Sequence, residues 1–198
     1  MELLSQIVQA FVTIFVIMDP FASVGVFHSM TRSLSPSKRA EAARTAVFSA
    51  GAALFAFIAV GPFLLSVMGI SLDHFRIAGG VILFLIAVEF VMGISFPREK
   101  KKTALAIVVI GVPLITGPGV LTAAILLVTT VGYAVTATAA LIALVITLII
   151  LWKSEVILRF LGDTGSEIFS RIMGLLLAAI AVQFILSGLA AISAIKPI

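Results

Sequence analysis

Cysteine is absent, so disulfides and thiolate chemistry are excluded and the chain carries no redox signature. Charge is scarce as well: 11% of residues are Asp, Glu, Lys or Arg, against 62% hydrophobic. A soluble domain carries roughly 25% charge, and so little here cannot cover a water-facing surface. The two histidines, His28 and His74, stand alone with no metal-ligand spacing, so no metal site is expected. There is no phosphate-binding glycine loop, no aspartate pair of the intramembrane-protease kind and no Ser/His pair on one helix. Nothing points to an enzyme or to a bound cofactor. The Met-Glu start lacks a basic region and a small-residue cleavage site, so the first apolar run reads as a retained helix rather than a signal peptide.

What is present is apolar sequence in long runs, with a mean hydropathy of +1.29. Residues 45–72, 103–152 and 172–195 are uncharged, and each is long enough to span a bilayer at ~20 residues per helix. The expectation is one all-α integral membrane domain over residues 1–198 with six transmembrane helices. The first runs from about residue 5 to 32 and is interrupted at Asp19-Pro20. A turn at 33–37 follows, with Ser37 as N-cap of a second helix that reaches about Met68. Asp73 is expected to cap a third helix over about 74–95, and residues 98–102 are solvated. The fourth starts near Thr103 and meets a second break at Gly117-Pro118-Gly119. Thr130-Val131-Gly132-Tyr133 supplies the turn that the long uncharged run needs. A fifth helix over about 135–161, a loop at 162–165 and a sixth helix over about 166–193 complete the chain.

Lys and Arg set the orientation. With six spans, Arg76 and Lys196 share the side of the termini, whereas the other eleven of the 13 lie in the loops after helices one, three and five. The basic loops therefore face the cytoplasm, where anionic lipids attract them, and both termini face outward from a cytoplasmic (inner) membrane. The net charge of +4 is explained by this asymmetry, with no nucleic acid as a partner.

The two halves, about 1–97 and 103–198, also repeat. Arg76-Ile77-Ala78-Gly79 matches Arg171-Ile172-Met173-Gly174, and Ile86-Ala87-Val88-Glu89-Phe90 matches Ile180-Ala181-Val182-Gln183-Phe184. Three spans per half make the halves inverted. Inverted repeats with interrupted helices are a transporter architecture whose substrate site lies near the bilayer midplane.

The breaks are where chemistry concentrates. A mid-membrane carboxylate costs roughly 3 kcal/mol on insertion scales, so Asp19 is a candidate ligand for an ammonium or a coupling cation. It is equally suited to cap the half-helix that restarts at Pro20, and the two roles are compatible. The half-helices beginning at Pro20 and Pro118 would present free N–H groups and positive dipole ends to a small anionic group. Gly117 and Gly119 would let a ligand approach the backbone. Ser23, Thr116 and Thr122 can supply hydroxyls, although each is expected to bond back to its own helix. Glu89 and Gln183, matched in the repeat, are candidates for proton coupling or for a helix–helix hydrogen bond. Arg76 and Arg171 are expected to snorkel to the interface, and Gly79-Gly80, Gly93 and Gly174 to mark close helix contacts.

The same residues carry a family likeness. Asp19-Pro20-Phe21, Phe75-Arg76-Ile77-Ala78-Gly79-Gly80 with its following apolar run, Pro113-Leu114-Ile115-Thr116-Gly117-Pro118-Gly119 and Met173-Gly174-Leu175-Leu176 together resemble the MarC family of six-span inner-membrane proteins. Ala22 and Gly25 stand where that family's first motif usually has glycine and proline. The resemblance implies membership of a group labelled as related to multiple antibiotic resistance, with an archaeal branch that transports small neutral amino acids.

From residues and resemblance together, the expected function is secondary transport of small neutral amino acids or similar zwitterions, coupled to H+ or Na+. The substrate-binding set is Asp19, Pro20, Ser23, Thr116, Gly117, Pro118, Gly119 and Thr122, and the coupling candidates are Asp19, Glu89 and Gln183. An ion or small-solute channel, or a scaffold with no substrate, are the alternatives, and a homo-oligomer is compatible with each.

Overall fold

Lipid offers no partner to an exposed backbone amide, so apolar runs of this length close their own hydrogen bonds as helices. A computed structural model describes residues 2–93 and 115–194, excluding the side chains of residues 161, 163, 166 and 194. Among the described residues every regular element is helical: α1 (Glu2–Met18), α2 (Pro20–Thr31), α3 (Pro36–Val67), α4 (Leu72–Met92), α5 (Pro118–Val131), α6 (Tyr133–Trp152) and α7 (Ser154–Ala194). Five stretches are long and apolar enough to cross a membrane, namely Glu2–Thr31, Pro36–Val67, Leu72–Met92, Tyr133–Trp152 and Glu167–Ser193; α5 is apolar but shorter. The helix expected from Thr103 to the second break and the basic residues 98–102 lie outside the described residues.

Several boundaries differ from the expected ones, each for a local reason. Ser35 rather than Ser37 is the N-cap of α3, because Pro36 has the fixed φ that suits a first helical position. Ser71 rather than Asp73 caps α4, its Oγ accepting from the His74 amide at 3.3 Å, while Asp73 turns to Arg76 at 3.0 Å. Gly93 ends α4 in the left-handed conformation at φ 66, two residues short of the expected end. The fifth span is expected to reach Leu161, yet α6 stops at Trp152. Lys153 opens a charged section, and a new helix begins at Ser154. The expected loop at 162–165 shrinks to a kink at Gly162 (φ 65, ψ 178), after which α7 continues to Ala194. The turn after Val131 stands as expected, with Gly132 at φ 86, a value that glycine adopts without strain.

α4 and α7 run antiparallel and touch through glycine. A methyl on Gly80 would lie 2.8 Å from the Ala181 carbonyl, and one on Gly174 would lie 3.1 Å from the Ala87 carbonyl. Ala87 and Ala181 are the matching alanines of the two Ile-Ala-Val stretches, although the glycine matched to Gly174 is Gly79, which meets Thr122 instead. Gly188 likewise fits against Ile77 and the Asp73 carbonyl. α3 closes on α5 and α6 through Gly61 against Ile125 and Gly51 against Leu144. α1 is held between α5, α6 and α7, and its end, Val16-Ile17-Met18, is buried. This packing brings the first break into the interior.

Candidate functional site

At the first break the helical ladder is kept while the chain changes direction. The Asp19 amide donates to Phe15 O at 3.2 Å, and the Ser23 amide donates to Asp19 O at 3.3 Å. Asp19 itself takes a left-handed conformation (φ 37, ψ 72), the one such non-glycine among the described residues. Its Oδ1 accepts from the Ala22 amide at 3.2 Å, so the side chain caps α2 as expected. The Phe21 amide and the Ser170 hydroxyl of α7 lie alongside the carboxylate at looser geometry. Asp19 is 1% exposed, and Oδ2 has no hydrogen-bond partner among the described residues.

Magnitudes separate capping from other roles. A cap contributes about 1 kcal/mol, and left-handed backbone at a non-glycine residue costs about 1–2 kcal/mol. The cap therefore offsets at most the strain and leaves the cost of a buried carboxylate unmet. Asparagine would cap equally well and tolerate the same backbone. The charge is surplus to the fold, and the free Oδ2 is where it is available.

The second break is built without a side-chain cap. Gly117 is extended at φ −65, ψ 175, and Val120 and Leu121 donate to its carbonyl at 3.0 and 3.2 Å. Thr116, 2% exposed, donates to Ala50 O of α3 at 3.3 Å. A bridge between helices satisfies the hydroxyl and also fixes the approach to the break. Ser23 does bond back, donating to Asp19 O at 3.2 Å.

The end of α1 meets the start of α5. A methyl on Gly119 would sit 3.3 Å from Cγ2 of Ile17, two residues ahead of Asp19, and 2.8 and 3.2 Å from Leu83 and Ile86 of α4. Thr122, one turn into α5, lays its methyl on Gly79 of α4. α6 closes another side, where the buried Thr147 hydroxyl meets Met18 Sδ at 3.7 Å. Phe21 stacks on Phe169 of α7 at 5.0 Å between centroids and meets Phe15 edge-on at 6.4 Å. Thr122 and Gly119 thus pack on α4, Met18 meets α6 and Phe21 meets α7, with Ile17 the residue that joins the end of α1 to the second break.

The other candidates stand apart. Glu89 is half-buried one turn beyond Ile86 and makes no hydrogen bond or ion pair among the described residues. Gln183 is exposed on α7. No group of three or more His, Asp or Glu side chains gathers into a metal-ligand set among the described residues. Ile17, Leu83, Ile86 and Ser170 escape sequence reasoning because each is ordinary in its helix. Thr147 had a signal, being the one hydroxyl in the apolar run from Ala139 to Trp152.

Five apolar stretches long enough to span a bilayer, the first of them broken at a buried carboxylate, define an integral membrane protein. Residues 4–193 match the MarC family of integral membrane proteins, and the chain belongs to that family. A UPF0056 membrane protein of Methanocaldococcus jannaschii is 35% identical, over 94% of this chain and 97% of its own length. One of Aquifex aeolicus is 34% identical over 92% and 91%, and one of Buchnera aphidicola 31% identical over 91% of each. No solved structure matches the chain.

Proposed function

We propose that this protein is a secondary transporter of small neutral amino acids or similar zwitterions in the cytoplasmic membrane. The observation that carries the reading is that α1, which ends at a buried Asp19 whose Oδ2 has no hydrogen-bond partner among the described residues, packs through Ile17 on Gly119 at the uncapped start of α5. One end suits an anion through the positive end of the helix dipole and the Gly119 amide, since Pro118 has no N–H and Val120 and Leu121 donate to the Gly117 carbonyl. The other suits a cation. A zwitterion offers both charges a few bonds apart. Its carboxylate goes to the start of α5 and its ammonium, or a coupling H+ or Na+, to Asp19 Oδ2. Ile17, Leu83 and Ile86 crowd Gly119, so these apolar side chains must part for the ligand, which favours substrates with small side chains.

The matched Ile-Ala-Val stretches of α4 and α7, whose alanines Ala87 and Ala181 each receive a glycine of the other helix, support two inverted repeats of three spans. With that topology the basic loops face the cytoplasm and both termini lie outside. The test is counterflow of radiolabelled glycine and alanine in proteoliposomes. Saturable exchange that disappears in Asp19→Asn and in Gly119→Leu is expected. Folded protein that exchanges no small amino acid overturns the substrate class, and exchange that survives Asp19→Asn removes that carboxylate from the mechanism.

A further inference from the structure

The chain's basic end holds a second polar cluster, remote in sequence from the breaks. Arg39 of α3 donates through Nη1 to Glu155 Oε2 at 2.6 Å, and Arg159 donates through Nη2 to Oε1 at 3.2 Å. Among the described residues Arg39–Glu155 is the one ion pair that joins distant parts of the chain; the others lie within single helices. It ties the start of α3 to the corner between α6 and α7. His28, near the end of α2, lies within the electrostatic reach of Glu155.

The satisfaction of this cluster is incomplete. Among the described residues four buried side-chain polar atoms lack a partner: Asp19 Oδ2, His28 Nδ1, Arg39 Nε and Ser154 Oγ. Three of the four belong to this corner, and Ser154, next to Glu155, is 0% exposed. Glu155 is 48% exposed, and an ion pair open to water on one side is weak. Each buried polar atom left unpaired works against the closed arrangement. Water entering the corner would satisfy all three at once. One water-exposed tie thus joins the helices here, and three unpaired buried groups oppose its closed arrangement.

We propose that Arg39, Glu155, Arg159, His28 and Ser154 form a latch that parts to let water reach the end of α2, and whose closure depends on the charge of Glu155. The latch needs no substrate, so it stands apart from the transport reading. Arg39, through its hydrogen bond and its charge, and then Arg159 hold the Glu155 carboxyl below the ordinary carboxylate range. The groups facing it are Arg39 from α3, His28 from α2 and Arg159 from its own helix, while Lys153 turns to the Trp152 ring at 5.3 Å. A carboxyl lowered in the closed form stabilises it fully above the ordinary range and loses that contribution as pH falls through the lowered value. Acid therefore opens the latch.

The absence of cysteine makes the test direct, since Ser154→Cys introduces the one thiol in the chain. Its rate of labelling by a water-soluble maleimide is divided by that of Ser37→Cys, an exposed position, which cancels the pH dependence of the thiol. Glu155→Gln and Arg39→Gln should each raise the ratio roughly fivefold. The two together should raise it no further than either alone, and acid should raise it in the parent but not in Glu155→Gln. An unchanged ratio, or additive effects of the two substitutions, overturns the latch. Hydrogen exchange over residues 154–161 of the otherwise unmodified chain follows the same opening without Ser154→Cys. Faster exchange in Glu155→Gln supports the latch, and unchanged exchange overturns it.

Discussion

The two breaks solve one backbone problem in opposite ways. At Asp19-Pro20 the new helix start is capped by a carboxylate, and the residue accepts left-handed strain to do so. At Gly117-Pro118 no side chain caps the start, and space is kept by the absence of a Cβ at Gly119. One break therefore holds a carboxyl group and the other a helix start with no side-chain cap. Pairing like with unlike in this way suits a ligand with two charges of opposite sign, and two identical breaks would not. The comparison also separates what each break tolerates: the first depends on the chemistry of one side chain, the second on the lack of one.

The substitution expected to break this arrangement most severely is Gly119→Leu. Even a methyl there would lie 2.8 Å from Leu83 Cδ2, with Ile86 and Ile17 closing the remaining directions. Overpacking of this kind costs about 1–3 kcal/mol, and it fills the place that the proposed transport assigns to the ligand. Counterflow should vanish and the melting temperature in detergent should fall. At the first break the two effects should come apart. Asp19→Ala loses the cap, about 1 kcal/mol, and keeps the left-handed strain, so it should melt lower. Asp19→Asn keeps both the cap and the tolerance of that backbone and should melt like the parent while losing counterflow. A melting temperature for Asp19→Asn as low as for Asp19→Ala would make the charge structural and undo the contrast between the breaks.

Much of this site was legible because its signals are strong in single letters. A Pro after an Asp inside an apolar run has few readings in lipid, and the capping of α2 by Asp19 follows from residue chemistry alone. The Gly132 turn was visible for the same reason. The extent of the fifth span was not. Residues 153–161 keep helical residue types, so the break between Trp152 and Ser154 leaves no glycine or proline in the sequence, although Lys153, Glu155 and Arg159 mark the end of the apolar run. The caps of α3 and α4 were displaced because Ser35 and Ser71 compete with near neighbours of similar propensity. Ile17, Leu83, Ile86 and Ser170 were invisible because contact across helices leaves no periodic mark.

The finest test of the comparison concerns two hydroxyls, one at each break. The Ser23 hydroxyl donates to Asp19 O within its own turn, so the first break is closed on itself. The Thr116 hydroxyl donates to Ala50 O, which fastens the second break to α3. A hydrogen bond inside a helix turn adds little, because that carbonyl also accepts the Ser23 amide. A bridge between helices leaves a buried carbonyl without its second donor when it is cut, at about 1 kcal/mol. Thr116→Val, which keeps the shape, should therefore lower the melting temperature measurably, and Ser23→Ala should leave it nearly unchanged. Equal shifts would mean that both breaks are held by their own turns, and that the second owes nothing of its position to α3.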